Sequence, residues 1–185
     1  DELFHRTGYA TEVYTFGNVS CDNYNVGFSE ARCNTWNFYY SGIKKVNQLL
    51  ENIDKVPAVS DSEETRKAEI IGQAYFLRAF FYHQLYSLYG RIPLVDHTFD
   101  IDSDWVETRA DMDDVADFIV KDCESAIEKL PLKYESSDDF GRATRGAAMA
   151  VKARTLLYKA SPLFGEPSTE KWQEAAKASK DIIDL

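Results

Sequence analysis

The hydrophobic residues of this chain recur with helical spacing over five segments and lose that spacing between them. They predict helices over residues 29–53, 62–89, 109–130, 144–161 and 169–185. Pro57, Gly90 and Pro131 follow the first three segments, where helix-ending residues are expected. The pattern therefore predicts an all-α fold that occupies residues 29–185.

Residues 1–28 show no helical periodicity. Their "GYATEVYTFGNVSCDNYNVG" stretch sets Gly, Asn, Ser and Asp between aromatic residues. This composition predicts a long aromatic loop, in which residues 12–16 could form a short strand. Because the chain opens without a methionine and closes inside a predicted helix, we expect it to be a segment of a longer protein.

The second and fourth predicted helices carry the same motif. "AYFLRAFFY" at residues 74–82 and "AVKARTLLY" at residues 150–158 both read A-x-x-x-R-x-x-x-Y. The first and third helices also align with each other, at nearly the same offset. A helix pair used twice is typical of tetratricopeptide repeats, although the spacing here is longer than usual. We therefore expect antiparallel helix pairs.

Each copy of this motif places an arginine, Arg78 or Arg154, inside an apolar stretch. The Ala, Arg and aromatic residues lie four apart and so share one helix face. An arginine can lay its stem along apolar neighbours and direct its guanidinium to a carboxylate. We interpret both arginines as buried structural ties, with Asp122 and Glu69 as the nearest candidate partners. A ligand-binding role is the alternative.

The overall charge limits the possible partners. The chain carries a formal net charge of -10. An acidic protein repels phosphate backbones, so nucleic acid is not expected to bind.

Catalytic and metal-binding patterns are not evident in the sequence. Cys21, Cys33 and Cys123 follow no metal-ligand spacing, and a disulfide between the first two stays open. The histidines are well separated, and no phosphate-binding or hydrolase motif occurs. We expect no enzyme activity, no metal and no cofactor.

Three segments together resemble the SusD/RagB family. They are "WNFYYSGIKKVNQLL", "AEIIGQAYFLRAFFYHQLYSLYGRIPLV" and "GRATRGAAMAVKARTLLYKASPLF". They follow one another in the family's order, and the match extends over most of residues 29–185. The resemblance implies a scaffold of tetratricopeptide-like helices.

The same resemblance implies a function. It implies a non-catalytic glycan- or nutrient-binding lipoprotein, exposed on the cell outer membrane and lipid-anchored in its full-length form. Its expected partners are an oligosaccharide or polysaccharide and a SusC-like, TonB-dependent outer-membrane transporter. The alternative is a tetratricopeptide-type adaptor that binds proteins or peptides. A transporter gene beside the full gene would exclude the adaptor.

The loop before the first helix offers candidate ligand residues. Sugars stack on aromatic rings, and side-chain amides bind their hydroxyl groups. Tyr14, Asn18, Asn23 and Tyr24 provide both kinds of group. The aromatic residues could instead anchor the loop to the helices, and the sequence leaves both readings open. Trp36 lies on the apolar face of the first helix, where a core position is favoured.

Overall fold

A computed structural model describes residues 35–100, 102 and 106–185. Its α-helices are α1 (Thr35–Asn52), α2 (Asp61–Tyr89), α3 (Met112–Lys129), α4 (Arg145–Ala160) and α5 (Thr169–Ile183), with 3-10 turns at Ile53–Lys55 and Ser137–Asp139. Within these ranges no strand forms, although an isolated antiparallel bridge joins Pro93 to Arg109. The predicted all-α fold is confirmed.

The chain divides into two compact units. The first comprises residues 1–41, of which the described residues 35–41 form the opening turns of α1. The second comprises residues 42–185 and contains the rest of α1 and the other four helices. The predicted loop over residues 1–28, with its possible strand at residues 12–16, lies outside the described residues.

Two predicted helix starts shift in the structure. Helix α2 begins at Asp61 rather than at residue 62, because Ser60 caps it and forms a reciprocal capping box with Glu63. The third helix starts at Met112 rather than at residue 109. Residues 109 and 110 instead run beside the segment after α2, where the Ala110 amide donates to the Ile92 carbonyl at 3.0 Å.

Helix α2 has neighbours on more than one side in the second unit. It packs against α3 and α4, while α4 also packs against α3 and α5. Two glycines allow α2 to pack closely against the neighbouring helices α1 and α3. A Cβ placed on Gly42 of α1 would lie 2.6 Å from the Phe81 ring, and one on Gly72 would lie 2.9 Å from Lys129. Contact with α1, α3 and α4 explains why the apolar surface of α2 extends around most of the helix.

The expected equivalence of the two arginines is wrong. Arg78 is buried, whereas Arg154 and the preceding motif residue Ala150 are exposed. Helix α4 turns a different stripe inward, which includes Ala153 and Thr155. The motif repeats in sequence, but in the second copy Ala153 and Thr155, on either side of Arg154, are buried in place of the arginine.

Candidate functional site

A buried arginine joins the first three helices. Arg78 Nε and Nη2 donate to the two carboxylate oxygens of Asp122 at 2.7 and 2.9 Å, and Nη1 donates to Asn47 Oδ1 at 2.8 Å. The side chains of Arg78 and Asp122 are only 8% and 4% exposed. Glu69, the other candidate partner, pairs with Arg66 instead. Arg78 thus links α2 to both α1 and α3.

The surroundings of Arg78 favour its charged form. Burial by itself lowers the pKa of Arg78, but the hydrogen bond and charge of Asp122 more than offset this effect and raise the pKa above its ordinary value. The rings of Tyr75 and Phe118 lie 5.5 and 5.1 Å from its guanidinium carbon. These distances permit cation–π attraction. The buried positive charge is therefore balanced on several sides.

The same network holds the segment that follows α2. Asn47 Nδ2 donates to the carbonyls of Val95 and His97 at 3.0 and 3.1 Å. The Tyr82 hydroxyl donates to the Val95 carbonyl at 2.9 Å and accepts from the Val95 amide at 2.7 Å. Side chains from α1 and α2 thus satisfy main-chain groups that no helix or sheet would satisfy.

This fixed segment, residues 95–99, presents polar and aromatic groups at the surface. Glu51 accepts from the amide and hydroxyl of Thr98 at 2.7 and 2.6 Å, and these hydrogen bonds lower the pKa of Glu51. The His97 and Phe99 rings meet edge to face, with centroids 4.9 Å apart. Asp96 is exposed beside them. These contacts hold the segment against α1.

His83 belongs to a separate buried contact between α2 and α4. Thr155 Oγ1 donates to the Val151 carbonyl at 2.9 Å, so it must accept from His83 Nδ1, which lies 3.0 Å away. Burial first, and the charge of Arg154 second, lower the pKa of His83 to about 4. His83 is therefore neutral at physiological pH.

The structure describes only some of the residues that the sequence suggested for function. Tyr14, Asn18, Asn23 and Tyr24 lie outside the described residues. Trp36 is half-buried, and its ring centroid lies 4.9 Å from that of Tyr40.

The sequence did not identify Asn47 and Tyr82 as members of the hydrogen-bond network around Arg78 and Val95. Asn47 had a detectable signal, because an amide on an apolar helical stripe requires a buried partner. Tyr82 had no comparable signal, since a tyrosine among apolar residues is equally expected to pack through its ring alone. Its hydroxyl contact with Val95 depends on the path of the chain after α2.

Two further features do not occur among the described residues. None of the described helices is both long and apolar enough to span a membrane. No three His, Cys, Asp or Glu side chains in the same residues lie close enough together to hold a metal ion.

The anchoring of Val95 can be tested with a matched pair of tyrosines. Tyr82→Phe should lower the free energy of unfolding by about 1–3 kcal/mol, because it leaves the Val95 amide without its acceptor and removes one of the two donors to the Val95 carbonyl. Tyr86→Phe should be neutral or stabilising, since the buried Tyr86 hydroxyl has no hydrogen-bond partner among the described residues. Urea denaturation of both variants measures the difference. An equal loss in both would contradict the assigned role of the Tyr82 hydroxyl.

The packed succession of α1 to α5 defines a tetratricopeptide-like helical protein. Within that class, the chain belongs to the SusD-like family. The family model described as "starch-binding associating with outer membrane" matches residues 6–157. The resemblance that the sequence motifs indicated is thus confirmed.

Individual relatives support this membership. SusD-like protein P25 of Formosa agariphila is 30% identical over 149 residues, which cover 80% of this chain and 26% of that protein. A solved SusD-like protein from Bacteroides fragilis is 30% identical, with a TM-score of 0.69 over 81% of this chain and 26% of its own. A laminarin-binding SusD-like protein is 26% identical, with a TM-score of 0.68 over 80% of this chain and 29% of its own. The chain thus spans about a quarter of these relatives.

Proposed function

We propose that this chain is part of a non-catalytic glycan-binding protein that works at the outer-membrane surface. The observation that carries the proposal is the family match over residues 6–157. It is supported by the likeness in fold and sequence to a laminarin-binding relative. In this function the protein captures oligosaccharide or polysaccharide and passes it to a SusC-like, TonB-dependent transporter. A lipid anchor on the full-length protein would hold it at the membrane.

The described helices act in this proposal as a rigid support. The Arg78–Asp122 pair and Asn47 tie three helices together, and Asn47 and Tyr82 fix the segment at Val95. We assign the direct sugar contacts of the first unit to Tyr14, Asn18, Asn23 and Tyr24. The family match favours this function over a peptide-binding adaptor.

Affinity electrophoresis of the full-length protein tests the proposed function. Gels should contain starch, laminarin and a broad panel of other plant, algal and host polysaccharides. We expect at least one of them to retard the protein and the joint variant Tyr14→Ala/Tyr24→Ala to weaken that retardation about tenfold, because stacking surface is lost. Arg154→Ala is the control and should bind like the unmodified protein. Migration unaffected by every polysaccharide would contradict the proposal.

Two further measurements address the non-catalytic and transporter parts of the proposal. The bound polysaccharide should gain no new reducing ends during prolonged incubation with the protein. A tagged full-length protein, isolated gently from outer membranes, should carry a TonB-dependent transporter with it. Release of sugar fragments would identify an enzyme, and isolation without any transporter would remove the partner from the proposal.

A further inference from the structure

The turn between α3 and α4 presents an aromatic ring to solvent. Phe140 is 94% exposed, although it belongs to one of the most apolar residue types. The residues around it in sequence, "SSDD" before and "GR" after, are small, polar or charged. The ring is therefore an isolated apolar group in polar surroundings rather than part of a continuous apolar patch along the chain.

Hydrogen bonds hold the Phe140 turn, residues 136–142, in one conformation. The amides of Asp139 and Phe140 donate to the carbonyls of Ser136 and Ser137, each at 3.2 Å, and the Arg142 amide donates to the Asp139 carbonyl at 3.1 Å. Gly141 has a φ of +91°, which side-chain-bearing residues rarely adopt. The exposed Phe140 ring therefore belongs to a hydrogen-bonded turn.

Side-chain contacts join this turn to α2. The Asp139 carboxylate pairs with Arg142 in the turn and with Arg66 of α2. Arg142 Nη1 donates to Gln73 Oε1 at 3.2 Å, and Gln73 Nε2 donates to the Tyr134 hydroxyl at 3.2 Å. Two guanidinium groups, a carboxylate and an amide therefore form the cluster that joins this turn to α2.

We infer that the Phe140 turn is a sugar-binding surface, with Phe140 stacking on a pyranose ring and the adjoining planar polar groups binding its hydroxyls. A sugar ring has one apolar face and a polar rim, which matches a solvent-exposed phenyl ring in a turn that also carries guanidinium and carboxylate groups. A protein partner would require a much larger buried surface with an apolar centre. This inference rests on the proposed glycan-binding function and adds a contact outside residues 1–28.

The test uses the full-length protein and whichever polysaccharide of the panel above retards it. Phe140→Ala should raise the dissociation constant about five- to tenfold, because one stacking contact is lost. Phe140→Trp should bind within about twofold of the unmodified protein, since it keeps the aromatic surface. Leu163→Ala is the matched control, because Leu163 is also an exposed apolar residue, at 80%, but lies after α4. It should leave binding unchanged.

The possible outcomes separate this inference from the proposed function. If the protein binds a polysaccharide and Phe140→Ala binds equally well, the sugar surface is refuted while the glycan function stands. If no polysaccharide binds, both fail together. A large drop in melting temperature for Phe140→Ala, with unchanged binding per folded molecule, would show that another part of the full-length chain covers the ring, and this also refutes the sugar surface.

Discussion

Arg78→Ala is expected to lower the free energy of unfolding by about 3–5 kcal/mol, the usual cost of removing one partner from a buried ion pair. The variant would leave the Asp122 carboxylate buried without its paired guanidinium and would remove the donor to Asn47. Arg78→Lys should restore little, because an ammonium cannot supply the planar fork that meets both carboxylate oxygens. Urea denaturation followed by circular dichroism measures each loss.

The structure provides a matched control for this prediction. Arg154→Ala alters the corresponding position of the second motif, but Arg154 is exposed, so the free energy of unfolding should change by about 0.5 kcal/mol or less. The double variant Arg78→Met/Asp122→Leu should recover much of the loss, since no charge is then left buried. If Arg78→Ala keeps the melting temperature and instead abolishes glycan binding, Arg78 is a ligand residue and its structural assignment fails.

The contrast between these two arginines shows what sequence periodicity can and cannot predict. Spacing predicted the five helices, because burial of one helical face leaves a regular pattern in the chain. It could not determine which of two similar motifs is enclosed. That depends on the neighbours around each helix: α2 lies against α3 and α4 and, through Asn47, reaches α1, while α4 turns Thr155 inward.

The polar network was predictable only in part, for a related reason. Asp122 could be suggested as a partner because a carboxylate and an arginine in apolar stretches both require compensation. The bonds from Asn47 and Tyr82 to Val95 end on main-chain atoms, which every residue carries alike. No residue type therefore marks their partner in the sequence. Only the path of the segment after α2 determines it.

His83 should make the protein sensitive to acid. Its pKa is lowered to about 4 in the folded state, from an ordinary value near 6.5. The unfolded chain therefore binds a proton at a higher pH than the folded protein does. The stabilisation from neutral His83 is fully present above about pH 6.5 and is lost as the pH falls towards 4, which amounts to about 3 kcal/mol at most.

The variant His83→Gln isolates this contribution, because glutamine can still donate to Thr155 but does not titrate. Between pH 6.5 and 4, the stability of the unmodified protein should fall more steeply than that of His83→Gln, by up to about 1.4 kcal/mol per pH unit. Carboxylates also titrate in this range, but they are common to both proteins and cancel in the difference. Parallel pH profiles for the unmodified protein and His83→Gln would mean that His83 accepts its proton in the folded state as readily as in the unfolded chain, and the burial of a neutral imidazole between α2 and α4 would then be refuted.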